Sequence, residues 1–221
     1  GGGTMIGLGP GDREFAQLAS MSEAVEVLAG AELPEADLSG AIGIVSVGRL
    51  AVVVDAEAGR SRTIALLQEG DALALPEGGW PGAPGARVRA AIDAEVLVLA
   101  RPLDEVLCAD ATLGTWLLRA LAAAVADREL SVAIALEPRL ERRLVLKLRQ
   151  LADRWGKVTP EGVRLDLRVT HQELADMIGG ARESVTVALG RLQDQGEVIV
   201  RRRTVILRRM DDQGRVATET A

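Results

Sequence analysis

Tyrosine is absent from this 221-residue chain, and phenylalanine, histidine and cysteine occur once each, as Phe15, His171 and Cys108. A single cysteine excludes an internal disulfide framework and a cysteine-held iron–sulfur centre. Cys108 is expected to be a small buried hydrophobe. A single histidine excludes a histidine-rich metal site. It lies beside no serine or cysteine that would complete a nucleophilic triad, so the expected roles for His171 are helix capping or a phosphate contact. The glycine-rich stretch GGWPGAPG (78–85) lacks the lysine of a phosphate-binding loop, and no GxGxxG spacing follows a strand. An enzyme is therefore not expected, and neither is a bound cofactor or metal. Apolar runs stay far below the ~20 residues of a membrane span. The first residues, GGGTMIGLG, have no basic n-region or cleavage pattern, so the expected address is the cytoplasm, with no membrane partner.

What the chain does have is apolar residues (48%) and an uneven distribution of charge. Residues 1–138 hold 9 basic and 20 acidic residues, whereas residues 139–221 hold 17 and 12. The net charge of −6 thus hides a basic C-terminal part, the half expected to meet a polyanion.

The rhythm of the sequence changes along its length. Residues 12–28 have helical spacing in Phe15, Leu18, Val25 and Leu28. Between 41 and 107, six short aliphatic segments (AIGIVSV, LAVVVDA, TIALL, ALALP, VRAAI and EVLVLA) alternate with Gly, Asp and Pro turns, the pattern of an antiparallel sandwich or barrel. Residues 110–137 read as one long helix. Leu113, Trp116 or Leu117, Ala120, Ala124, Ser131 and Ile134 mark a seam with small residues at its middle, which is expected to pair with a second copy. Pro138 should break or hinge that helix. An amphipathic helix over 139–155 follows, then two short strands near Val158 and over 163–167.

Residues 170–200, THQELADMIGGARESVTVALGRLQDQGEVIV, are the most informative stretch. Thr170 and Glu173 have the spacing of a capping box. Leu174, Ala175 and Ile178 give one buried stripe, and Gly179-Gly180 supplies the positive φ of a tight turn. In the next helix Val185, Ala188, Leu189 and Leu192 face inward while Arg182, Glu183, Thr186 and Val187 face out. Gly196 ends it. VIV (198–200), RRR (201–203) and TVIL (204–207) then read as strand, basic turn, strand. A bracing helix followed by a helix with polar residues at its N-terminal end is how a helix-turn-helix reads the major groove, here with a hairpin wing.

The order of sandwich, long helix, hinge and winged helix resembles the Crp–Fnr family of bacterial transcription regulators. The C-terminal resemblance rests on TH-Q-E-LA-x-x-IG-x-x-RE-S-V-x-x-x-L-x-x-L. The weaker N-terminal one rests on IVSVGRLAVVV, around Gly48, and TIALLQEGDALAL, around Gly70-Asp71. Together they cover roughly residues 15–208. The resemblance implies an α+β chain: an antiparallel β-roll sensor domain with a short N-terminal helix (12–109), a dimerisation helix (110–137), a winged helix-turn-helix (138–210) and a flexible tail (211–221). It implies a homodimer on a palindromic operator in double-stranded DNA, with RNA polymerase as a further partner. Arg182 and Glu183 stand where the family reads bases. Arg pairs bidentately with guanine, and Glu accepts from cytosine. Val187 replaces a base-reading arginine of the family and can meet a thymine methyl. Thr186 is placed with these base contacts. Thr170, His171, Gln172, Ser184, Arg191, Arg201, Arg202 and Arg203 are the expected backbone contacts.

The sensor departs from the family pattern. Cyclic-nucleotide binders carry Gly-Glu-Leu and Arg-Ser-Ala. Here the corresponding elements read Ala74-Leu75-Pro76 and Pro84-Gly85-Ala86. A buried phosphate without its counter-charge is expensive, so cAMP is not expected. Leu75, Trp80, Ala86, Arg87, Arg89 and Arg128 remain as the candidate effector pocket, with Arg87 and Arg89 also readable as surface residues and Arg128-Glu129 as a salt bridge. The alternative to a sequence-specific regulator is a nucleoid-structuring protein of the same fold with little base readout, which a steep salt slope and a small specificity ratio would reveal.

Overall fold

The computed structural model describes residues 13–34, 40–56, 60–74, 86–99, 103–201 and 204–208. The chain forms two compact units, 1–130 and 131–221. The expected effector-pocket residues Leu75 and Trp80, the wing residues Arg202 and Arg203, and the tail 211–221 lie outside the described residues.

The first unit is an antiparallel roll with helices on one face. Helix α1 (Arg13–Ser20) precedes strands β1 (Ser22–Val27), β2 (Ile42–Ala56), β3 (Arg60–Gln68), β4 (Ala72–Ala74) and β5 (Arg87–Leu99), then α2 (Leu103–Ala109) and the start of α3 (Ala111–Leu136). The strands run in the order β1-β5-β2-β3, with β4 also paired to β2. Alternation along β2 and β5 sorts side chains to two faces. Val45, Leu50, Val52, Val88, Val96 and Val98 fill the roll interior. Ile44, Leu97 and Leu99 meet Phe15, Leu18, Val106, Leu113, Trp116 and Leu117 of the helices outside.

Three differences from the sequence reading have clear causes. The amphipathic stretch 12–28 splits after Ser20, because residues 22–27 pair in register with β5, Ser22 against Leu99 through Val27 against Ala94. The expected pair of strands around Gly48 is one long strand. Gly48 adopts φ +87°, and a Cβ there would fall 2.1 Å from the Asp93 carbonyl oxygen. That glycine lets β2 pass through register shifts against β5 without stopping. Cys108, expected to be buried, is exposed on α2.

Asp110 links α2 to α3. Its carboxylate accepts the backbone N–H groups of Thr112 (2.9 Å) and Leu113 (3.0 Å) and the Gln17 amide (2.8 Å). The Leu113 bond foremost, then Gln17, holds its pKa below the ordinary 3.8.

The second unit comprises the last turns of α3, α4 (Leu140–Trp155), β6 (Gly156–Thr159), β7 (Gly162–Leu165), α5 (His171–Ile178), α6 (Arg182–Asp194), β8 (Val198–Arg201) and β9 (Thr204–Leu207). The strands form an antiparallel sheet in the order β6-β7-β9-β8. Leu144, Leu148 and Leu151 of α4 are buried, and α4 packs on both α5 and α6. Two polar residues of α4, Lys147 and Gln150, are also buried. Lys147 Nζ donates to Gln150 Oε1 (2.6 Å) and to Ser131 Oγ at the end of α3 (3.1 Å), and Gln150 Nε2 donates to the same hydroxyl (3.1 Å). Among the described residues, no helix is long and apolar enough to cross a membrane.

Candidate nucleic-acid interface

The motif is built by short-range signals. Thr170 Oγ1 accepts the Glu173 N–H (3.1 Å), and Glu173 Oε2 accepts the Thr170 N–H (2.6 Å). This complete capping box fixes the start of α5. At its end, Gly179 sits in the left-handed region at φ +68°, and the Gly180 N–H returns to Ala175 O (3.0 Å). Only the first of the two glycines is needed for its φ. The second lies close to α4: a Cβ on Gly180 would stand 2.9 Å from Leu140 Cδ1, the end of a flexible side chain that can move aside. Helix α6 ends in a Schellman arrangement: the Gly196 N–H bonds Gln193 O and the Glu197 N–H bonds Leu192 O, both at 2.9 Å. The Gln193 side chain then accepts the Val200 N–H (3.1 Å), tying the first wing strand to α6.

Val185, Ala188, Leu189 and Leu192 anchor α6 in the core. Arg182, Glu183, Ser184, Thr186 and Val187 are exposed, so the five lie together on the outward face of the first two turns. Arg182, Glu183 and Ser184 carry no side-chain hydrogen bond or ion pair to any described residue. Thr186 is engaged differently. Its hydroxyl donates to Arg182 O (3.0 Å) and lies 2.8 Å from His171 Nδ1. Gly190, one turn further on, has open space where a side chain would be.

The expected phosphate contacts fall into two groups. Thr170 and Gln172 are exposed on α5, where Thr170 is committed to the cap and Gln172 donates to Asp176 (2.8 Å). Arg191 reaches across to the first turn of α4 and pairs with Glu141 at 2.7 Å. Arg201 holds Glu161 by two bonds of 2.9 and 2.7 Å. Both guanidiniums are well exposed (65% and 61%), so the pairs can exchange partners with a phosphate at small cost. Sequence spacing could not reveal them, because the partners are 50 and 40 residues away. Glu141, Val187 and Arg191, with Arg139, Leu140, Glu183, Ser184 and Ala188, line an open cavity of about 560 Å³ beside α6.

Residues 139–212 match the family described as a Crp-like helix-turn-helix domain. The C-terminal third of the chain is a Crp-like helix-turn-helix domain. The chain is also 26% identical over 152 residues to the global nitrogen regulator of Synechocystis sp., covering 67% of this chain and 68% of that protein. Among solved structures, a CooA variant from Carboxydothermus hydrogenoformans superposes with a TM-score of 0.73 at 21% identity, over 89% of this chain and 88% of that one. The c-di-GMP responsive global regulator CLP of Xanthomonas campestris gives 0.67 at 19% identity, over 88% and 97%. The fold of these regulators thus runs through nearly the whole chain.

Two other expected sites look different in three dimensions. On α3, Leu113, Trp116 and Leu117 pack on the roll of their own chain. Ile134 is 2% exposed, and Ser131 is held by Lys147 and Gln150. These five are buried or hydrogen-bonded within their own chain, whereas Ala120 and Ala124 are half-buried. The exposed apolar residues of α3 are Leu118, Val125, Leu130, Val132 and Leu136. The apolar residues of α3 are spread round the helix, so periodicity leaves its inward face undetermined. In the candidate effector pocket, Arg87 is held by Asp55 (2.7 and 3.0 Å) and Glu32 (2.9 Å). It is a cross-strand brace with no charge to spare for a ligand. Ala86 is buried and Arg89 exposed. Within the chain no Arg128–Glu129 salt bridge forms along the helix; Arg128 Nη2 is buried without a hydrogen-bond partner among the described residues. Among the described residues, no three His, Cys, Asp or Glu side chains are grouped to hold a metal.

Proposed function

We propose that this protein is a homodimeric, sequence-specific DNA-binding transcription regulator of the Crp–Fnr type, acting in the cytoplasm. The observation that carries the reading is the outward face of α6. In a Crp-like module, Arg182 and Glu183 stand exposed and uncommitted at the start of the second helix, where base edges are read. Phosphate contacts come from Ser184, from Arg191 and Arg201 after exchange of their carboxylate partners, from the α5 start at Thr170, His171 and Gln172, and from the wing residues Arg202 and Arg203.

A second copy packs against the exposed stripe of α3. Leu118, Val125 and Val132 recur every seven residues there, the spacing of a helix pair. A two-fold dimer places two α6 helices for a palindromic operator with half-sites about one helical turn apart. RNA polymerase is a further partner on the strength of the family resemblance. The roll serves as sensor for an effector other than a cyclic nucleotide, since Arg87 is already paired. Arg128 and Arg89 are the cations left to it.

Selection of random duplexes by the full-length protein tests this reading. It should enrich one palindrome, and Arg182→Ala should bind that palindrome about 1–3 kcal/mol more weakly, roughly 5- to 150-fold. Equal enrichment of all sequences would replace a regulator with a nucleoid-structuring protein.

A further inference from the structure

We propose that His171 and Thr186 make the second turn of α6 a reader of pyrimidine C5-methyl groups, so that the operator is selected there by thymine methyls and not by hydrogen bonds. The proposal rests on the regulator reading above and adds the chemistry of one part of its site.

The argument begins with a single proton. A threonine hydroxyl can donate once. Here Arg182 O lies at 3.0 Å, one turn back along the helix, and His171 Nδ1 at 2.8 Å, so in either imidazole tautomer the hydroxyl proton is taken within the protein. Thr186 therefore has no donor to offer a base. The residue is exposed, and its methyl group is the part free for an apolar contact.

Its neighbour Val187 is 56% exposed and has no polar atom at all. Exposing a β-branched aliphatic residue on a solvated helix face gains nothing for the fold. The next outward position, Gly190, has no side chain and nothing within 4 Å. Thus the face changes character within two turns: charged at Arg182 and Glu183, then donor-free and methyl-bearing at Thr186 and Val187. In the major groove, the complement of such a surface is the C5-methyl of thymine, or of 5-methylcytosine.

His171 is a positioning residue in this scheme. It does not need to touch a base. Its Nδ1, 2.8 Å from the Thr186 hydroxyl, fixes the rotamer of that side chain and with it the direction of the methyl group.

The test uses the palindrome enriched by the full-length protein, with each thymine replaced in turn by uracil, which keeps O4 and loses only the methyl. At one or two thymines per half-site, uracil should weaken binding about fourfold, the worth of one buried methyl. Thr186→Ser, which keeps the hydroxyl and removes the methyl, should bring the thymine-to-uracil ratio at one of these positions to about 1. Thr186→Val, which keeps the methyl and removes the hydroxyl, should preserve the ratio. Val187→Ala should act on the other position. His171→Ala frees the Thr186 rotamer and should lower the thymine-to-uracil ratio at the Thr186 position. A histidine that only contacts phosphate or only supports the fold would lower affinity for all sequences alike and leave that ratio unchanged. An enriched palindrome indifferent to uracil at every thymine would overturn this proposal alone. Failure to enrich any sequence would overturn the regulator reading and this proposal with it.

Discussion

Arginine is used in opposite ways in the two units. In the roll, Arg87 is enclosed between Asp55 and Glu32, with its side chain one-third exposed. In the winged-helix unit, Arg182 stands at the head of α6 with no carboxylate against it, although its neighbours Arg191 and Arg201 are each paired. Net charge alone does not separate these cases. The basic half of the chain contains both kinds of arginine, and what distinguishes them is place. Cations that tie one element to another have carboxylate partners, while Arg182, exposed at the head of α6, has none among the described residues.

Substitutions can break this contrast, and the largest effect should come from the backbone of the roll. Gly48→Ala forces a side chain into a left-handed conformation and against the Asp93 carbonyl. It should destabilise the roll by about 3 kcal/mol. Hydrogen exchange read separately over 42–56 and 171–194 should show protection lost in the first segment and kept in the second.

Next comes the arginine pair itself. Arg182→Ala should lower operator affinity as stated and leave the melting temperature unchanged. Arg87→Ala should do the reverse, costing about 1 kcal/mol of stability and changing operator affinity by no more than about twofold. Measuring both properties on both variants decides the matter, and a loss of stability in Arg182→Ala would erase the distinction.

A smaller effect is expected at Gly190. Glycine inside a helix is unfavourable, so Gly190→Ala should stabilise the winged-helix unit by about 0.5–1 kcal/mol. The added methyl would sit on the face offered to DNA and should weaken operator binding. Unchanged affinity would place Gly190 away from the duplex.

The least effect is confined to acid. Asp110 in the roll and Asp166 beside Lys157 in the winged-helix unit both titrate below the ordinary 3.8, through the Leu113 and Lys157 hydrogen bonds respectively. A carboxylate whose folded pKa is depressed adds stability above its unfolded pKa and loses it as pH falls through the folded value. Asp110→Asn and Asp166→Asn should therefore shallow the acid unfolding curve below about pH 4, each in its own unit.

Local chemistry made much of this legible in the sequence. The capping box at Thr170, the Gly179 turn and the Gly196 terminus use only residues within a few positions of one another, and all three are where the sequence places them. The outward set on α6 follows from the inward spacing of Val185, Ala188, Leu189 and Leu192. Long-range pairing was not legible. Residues 22–27 have helical spacing but obey the edge of β5. The run through Gly48 looks like two strands because a glycine in a strand usually marks an end, whereas here it marks a bulge. Helix α3 is apolar on most sides, so its inward face is chosen by the roll it lies on. The carboxylates of Arg87, Arg191 and Arg201 are all 30 or more residues away in sequence. No periodicity encodes such meetings.

The start of α4 has a double attachment: Leu140 lies close against Gly180 at the bend of the motif, and Glu141 reaches Arg191 in the far half of α6. Residues just beyond Pro138 are thereby joined to both helices of the motif, so a displacement of α4 is felt at each of them.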